Sequence, residues 1–224
     1  MRRFWRENSL TLVFGLLFLG ALVGQAFAGW AEHNNQQLSS GLATVSLGQY
    51  LTSASFAVDV TENWQSEYLQ FLLYILATIW FVQRGSPESK ELGSEGTESD
   101  ENQLVGEYAK PDSPKWAKTG GWRTAVFSRS LGYTMGSIFA LSWLVQSIAG
   151  WAAFNEERLA QLQAPLSWTG YVLSADFWGR TLQNWQSEFL AVGSMAVLSI
   201  YLRQRGSPES KPTGSAHTST GVSG

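Results

Sequence analysis

Residues 10–30 read LTLVFGLLFLGALVGQAFAGW, twenty-one residues without a charge. At about 1.5 Å per residue, a helix of that length spans about 30 Å, the thickness of a bilayer's hydrocarbon core. Leu131–Trp151 is a second uncharged run, and both runs end on Gly-Trp. Two shorter apolar runs lie at 68–82 (YLQFLLYILATIWFV) and 189–202 (FLAVGSMAVLSIYL). Each is preceded by a Trp (Trp64, Trp185) and followed by an Arg (Arg84, Arg205) twenty residues later. An interfacial aromatic and a snorkelling cation then stand about 30 Å apart. The pattern predicts an all-α membrane protein with four transmembrane helices, anchored at its interfaces by Trp30, Trp64, Trp151, Trp185, Arg84 and Arg205.

The two halves align without a gap at an offset of 121 residues, with 32 identities in the 82 positions that pair Ser9–Lys90 with Ser130–Lys211. Asn63-Trp64-Gln65-Ser66-Glu67 recurs at 184–188, and Gln83-Arg84-Gly85-Ser86-Pro87-Glu88-Ser89-Lys90 recurs at 204–211. Self-similarity of this kind is the mark of duplication. The expected organisation is a two-helix membrane repeat over 1–90, a linker over 91–121, a second two-helix repeat over 122–211 and a tail over 212–224. Gly, Ser, Asp and Glu dominate the linker and Ser, Thr and Gly the tail, so both are expected to be disordered. Because each repeat crosses twice, the two are tandem and share one orientation, related by a pseudo-two-fold axis along the membrane normal.

Thirteen of the fifteen Lys and Arg fall before the first run, between the second and third, or after the fourth; only Arg158 and Arg180 lie in the other loops. The positive-inside rule places both termini and the linker in the cytoplasm, with 31–63 and 152–184 outside. Met1-Arg2-Arg3 and Ala26-Phe27-Ala28 also resemble the ends of a signal peptide. Recurrence of the same element at 131–151 favours an uncleaved anchor. In the outer loops, Ser46 is an expected N-cap, and Tyr50, Phe56, Tyr171, Phe177 and Trp178 suit the headgroup level.

Hydrophobic residues make up 44% of the chain, yet its mean hydropathy is -0.09, because the apolar runs are averaged with the polar linker and tail. The chain has no Cys, which excludes disulfides and thiolate chemistry, and its two His, His33 and His217, have no metal-ligand spacing. No metal or other cofactor is expected. The net charge is -3 with scattered basic residues, so nucleic acid is not expected as a partner.

Glu67 and Glu188 are equivalent acidic residues near the outer ends of the second and fourth runs, and an acid inside a span is by default a functional hypothesis. Gln25 and Gln146, also equivalent, fall at similar depth. Each Gln is expected to approach the Glu of its own repeat, as a polar clamp or as an ion-binding group. Arg-Gly-Ser-Pro-Glu-Ser-Lys ends a helix in physical terms: Arg for the C-terminal dipole, Gly for a left-handed position, Pro against continuation. Its full repetition also fits a docking peptide. Gly20-x-x-x-Gly24 and Gly132-x-x-x-Gly136 allow close helix approach. There is no phosphate-binding loop, G-x-S-x-G or H-E-x-x-H motif, and no enzymatic activity is expected.

With its N-W-Q-S-E and R-G-S-P-E-S-K blocks, the chain resembles a family of small bacterial membrane proteins known only as a domain of unknown function. The resemblance implies the bacterial plasma membrane and brings no activity, cofactor or catalytic residue. The sequence leads to a multi-pass inner-membrane protein whose partners are the bilayer and a homo-oligomer or membrane-protein partner. A structural or interaction role, scaffold or accessory, is expected first, and a small transporter or proton or cation channel using Glu67 and Glu188 second.

Overall fold

The structure, a computed structural model, describes residues 2–222 and is all-helical, with no strand among them. In chain order the helices are α1 (Arg2–Glu7), α2 (Ser9–Ser39), α3 (Leu47–Leu51), α4 (Ala54–Trp80), α5 (Lys115–Lys118), α6 (Gly121–Phe127), α7 (Ser130–Ala160), α8 (Trp168–Val172) and α9 (Ala175–Tyr201). Two of them, α2 and α7, are long and apolar enough to cross a membrane. The expectation of four spans narrows here to two. The helices α4 and α9 have 27 residues each, but Asp59, Glu62 and Glu67 in one and Asp176, Arg180 and Glu188 in the other interrupt their apolar stretches.

The chain forms two compact units, 1–61 with 145–177 and 62–144 with 178–224. In the first unit one loop design occurs twice. The Trp30 indole N–H donates to the Val45 carbonyl at 2.7 Å, and the Asn34 amide both donates to that carbonyl and accepts from the Val45 N–H. Trp151 and Asn155 do the same to Leu166. These bonds satisfy the backbone where the chain turns back after the long helix, as buried polar groups require. The next residue caps the short helix: Ser46 caps α3 in a capping box with Gln49, and Ser167 caps α8. Gly170 stands where Gln49 does, so the second copy lacks the box.

The short helices bury Tyr50 and Tyr171, each 1% exposed, against Phe56 and Phe177. Their hydroxyls reach the long helix at Gly29 and Gly150, where a Cβ would collide with them. The Gly before each Trp is thus explained by close approach. Burial, and after it the Asp59 carboxylate to which its hydroxyl donates, push the Tyr50 phenol above its ordinary value.

The copies differ where the long helix ends. After α2, the Leu42 N–H bonds to the Gln37 carbonyl and the Gly41 N–H to that of Leu38, a Schellman ending with Gly41 at φ +70°. After α7 the same bonds run from Gln163 to Arg158 and from Leu162 to Leu159, but Leu162 occupies the left-handed position at φ +58°.

The second unit holds residues 62–80 of α4, 130–144 of α7 and 178–201 of α9. Gly136 of α7 lies against Leu72 of α4, and Gly132 approaches Leu76, so this Gly-x-x-x-Gly pair does serve helix contact. Gly20 and Gly24 have nothing within 4 Å among the described residues.

Leu162 is 97% exposed, so its side chain contributes no packing while its backbone is strained. Leu162→Gly should therefore stabilise the protein by about 0.5–1 kcal/mol, read as a higher unfolding midpoint in detergent. An unchanged or lowered midpoint would refute that account.

Candidate functional site

The predicted pairs were Gln25 with Glu67 and Gln146 with Glu188. Instead, the Gln25 amide donates to the Asp59 backbone carbonyl at 3.4 Å. Gln146 is fully buried, and neither its amide nitrogen nor its oxygen has a hydrogen-bond partner among the described residues. Depth alone suggested these pairings, and depth does not fix helix rotation. Glu67 is exposed and Glu188 half-buried; the Ser66 hydroxyl donates to Glu188 at 3.4 Å. The N-W-Q-S-E blocks therefore do meet, though not as predicted. Trp185, expected as an interface anchor, instead donates its indole N–H to Gln65 at 2.8 Å and packs on Trp143. Arg180 pairs with Glu62 at 3.0 Å. Trp64, Arg84 and Arg205 are exposed.

The more elaborate constellation is formed by the two Arg-Gly-Ser-Pro-Glu-Ser-Lys copies, which fold into one loop made twice. In the first, the Ser89 hydroxyl accepts from the Gln83 N–H at 2.8 Å and donates to the Lys90 carbonyl, while the Ser86 hydroxyl accepts from the Glu88 N–H. In the second, Ser210 and Ser207 make the same bonds to Gln204, Lys211 and Glu209. Gly85 and Gly206 turn each loop at φ +89° and +84°. The helices end earlier than the sequence predicts, at Trp80 and Tyr201, so Arg84 and Arg205 lie beyond the last turn. Carbonyl capping falls instead to Arg203, which donates to the Ser199, Ile200 and Leu202 carbonyls.

Residues 91–98 and 212–222, which composition marks for disorder, take part in hydrogen bonds of the same kind. In each copy the motif's Lys holds the segment that follows it: Lys90 donates to the Gly96 carbonyl and pairs with Glu98. Lys211, 1% exposed, donates to the carbonyls of Gly85, Ala216, His217 and Ser219. Burial, and after it the Arg203 guanidinium, hold the Lys211 pKa below the ordinary lysine value. The Ile79 carbonyl accepts from the Gly96 N–H, and the equivalent Ile200 carbonyl meets Nδ1 of His217, the residue at the Gly96 position. Gly93-Ser94 and Thr97 recur as Gly214-Ser215 and Thr218 at the same offset, a signal that the repeat runs past Lys90 and Lys211.

The tail closes on the first loop. The Gly85 N–H donates to the Thr220 hydroxyl at 2.9 Å, the Gly221 N–H to the Ser86 carbonyl at 3.0 Å, and Lys211 to the Gly85 carbonyl at 2.6 Å. The Glu88 carboxyl meets Glu209 of the second loop and accepts from the Tyr74 hydroxyl. Burial first, then the hydrogen bond and charge of Glu209, raise the Glu88 pKa above the ordinary carboxylate value. This is a site of backbone donors and acceptors held in fixed geometry, suited to seating a peptide. Among the described residues no three His, Asp or Glu side chains gather as metal ligands would.

Fold and site together define an all-helical protein with two helices, α2 and α7, able to cross a membrane, and paired, hydrogen-bonded loops beyond the ends of α4 and α9. The chain belongs to the family described as a domain of unknown function, DUF6766, whose model matches residues 1–222. No curated protein and no solved structure matches the chain.

A carboxyl whose pKa is raised on folding stabilises the folded form when protonated, and that stability falls as pH rises from the ordinary carboxylate value toward the raised one. The amides of Gly85 and Gly221 should therefore be better protected from hydrogen exchange at pH 5 than at pH 8, after correction for the intrinsic rate. In Glu88→Gln, which stays neutral, the difference should shrink. Protection independent of pH in the wild type would show that the Glu88 proton plays no part in docking.

Proposed function

We propose that this protein is a multi-pass membrane scaffold or accessory protein of the bacterial inner membrane, acting through protein contacts. In this proposal α4 and α9 join α2 and α7 as spans, giving two tandem repeats of the same orientation with both termini cytoplasmic. One observation carries the interaction role: α2, the most apolar of the long helices, has no buried residue over its 31 positions. That surface needs a cover, and lipid or another membrane helix is the cover its composition fits. Four spans are supported by charge. With α2 and α7 alone crossing, seven Lys and Arg between residues 84 and 129 would lie on the outer side, against the positive-inside bias. A 27-residue helix also measures about 40 Å, long enough to span.

A second proposal, a proton or cation pathway, is favoured by the hydrogen bond from Ser66, the neighbour of Glu67, to Glu188. It ranks lower, because Gln65, Ser66 and Trp185 around them are engaged in hydrogen bonds to one another or to the glutamates.

The chain has no cysteine, so single substitutions report topology cleanly. With four spans, Gln36→Cys and Gln161→Cys should react with an impermeant thiol reagent from outside and Ser94→Cys should not. With two spans, Gln36→Cys and Ser94→Cys would label together and Gln161→Cys would be shielded. In proteoliposomes under an imposed proton or cation gradient, no flux is expected. Flux abolished by Glu67→Gln with Glu188→Gln would overturn the scaffold role in favour of transport.

A further inference from the structure

The two loops have the same eight residues from Gln to Lys, yet among the described residues only the first is filled. On the first, Gly85, Ser86 and Pro87 are buried, and a Cβ on Gly85 would collide with the His217 carbonyl of the tail. On the second, Gly206 and Pro208 are exposed and Ser207 is half-buried. Nothing lies within 4 Å of a Cβ on Gly206 among the described residues. Around it runs an open groove of about 310 Å³, lined among others by Arg205, Gly206, Ser207, Ser210, Pro212 and Thr213. In repeat register, Gly206, Ser207, Ser210 and Pro212 correspond to Gly85, Ser86, Ser89 and Glu91, the positions that the tail touches on the first loop. The groove is thus the first loop's peptide site, built again and left open.

We propose that the second loop is a docking site for an extended peptide segment of another protein, carrying a Ser or Thr followed by Gly. The chemistry of the occupant comes from the filled copy. There, Thr220 offers its hydroxyl to the Gly85 N–H, Gly221 donates its N–H to the Ser86 carbonyl, and a Cβ on Gly221 would press on the Ser89 carbonyl at 3.2 Å. The Gly206 N–H, Ser207 carbonyl and Ser210 carbonyl stand at the same positions; the Ser207 carbonyl accepts from the Ser210 N–H at 3.2 Å and keeps its second lone pair for a peptide N–H. A second side chain beyond glycine would crowd the groove floor, so the motif is short and glycine-containing. This names the partner class for the interaction role proposed above and rests on it for its biological use. Peptide binding and ion flux are separate measurements, so either proposal can fail alone.

The test uses the full-length protein in detergent and a fluorescent peptide of the sequence Ala216–Gly221, followed by anisotropy. Saturable one-to-one binding is expected. Gly206→Asn adds a Cβ while tolerating the left-handed backbone, and should weaken binding about tenfold or more. Peptides with Thr220→Val or Gly221→Ala should bind more weakly to the unaltered protein, a comparison free of any folding defect. The proposal is overturned if the folded protein binds no peptide, or if binding survives Gly206→Asn and is lost in Gly85→Asn, which would place the peptide on the first loop by exchange. Self-association in sedimentation that requires Gly206 would make a second copy the occupant and overturn the assignment to another protein.

Discussion

A helix that stops at an apolar boundary leaves its last carbonyls without partners, and the cost of burying them unpaired exceeds the gain from most single contacts. The loop chemistry of this protein follows from that constraint. Asn34 and Asn155 satisfy both backbone groups of the residue that ends the turn after each long helix. After α9, Arg203 donates to the carbonyls of the last turn, and Lys90, Lys211 and the motif serines donate to carbonyls of the loops that follow α4 and α9. Each solution uses a side chain of fixed reach at a fixed register, which is why duplicated segments reproduce it.

Duplication also shows where the constraint relaxes. Leu162 has replaced the glycine that its copy keeps at a left-handed position, and Gly170 has lost the capping box made by Gln49. At the Gly96 position, His217 substitutes a ring nitrogen for a main-chain donor and keeps the bond to the helix carbonyl. The function of a position, a donor at the last turn, is kept while the residue changes.

The same comparison explains what was legible in the sequence. The helices α2 and α7 could be read because a long uncharged run has few alternatives. The N-terminal halves of α4 and α9 could not, since a helix there continues through Asp59, Glu62 and Arg180 without apolar periodicity to announce it. Identity located the two motif blocks but gave no account of Ser86, Ser89 or Lys90, whose bonds are local and leave no periodic trace. Composition argued for disorder after Lys211 because it counts apolar residues to be buried, whereas that segment is held by an ammonium and backbone hydrogen bonds. The glutamine–glutamate pairs failed for a geometric reason: equal depth does not put two side chains on facing sides of neighbouring helices.

The bond between Gly85 and Thr220 joins residues 135 positions apart. During synthesis the first loop is therefore complete long before its occupant exists, and it stays open until Thr220 and Gly221 have been made. Contacts of such sequence separation form late and slowly. A nascent first repeat emerges with the same vacant groove that the second repeat retains in the finished chain. For part of its biogenesis the chain carries two copies of the same loop, each complete before Thr220 exists to fill the first of them.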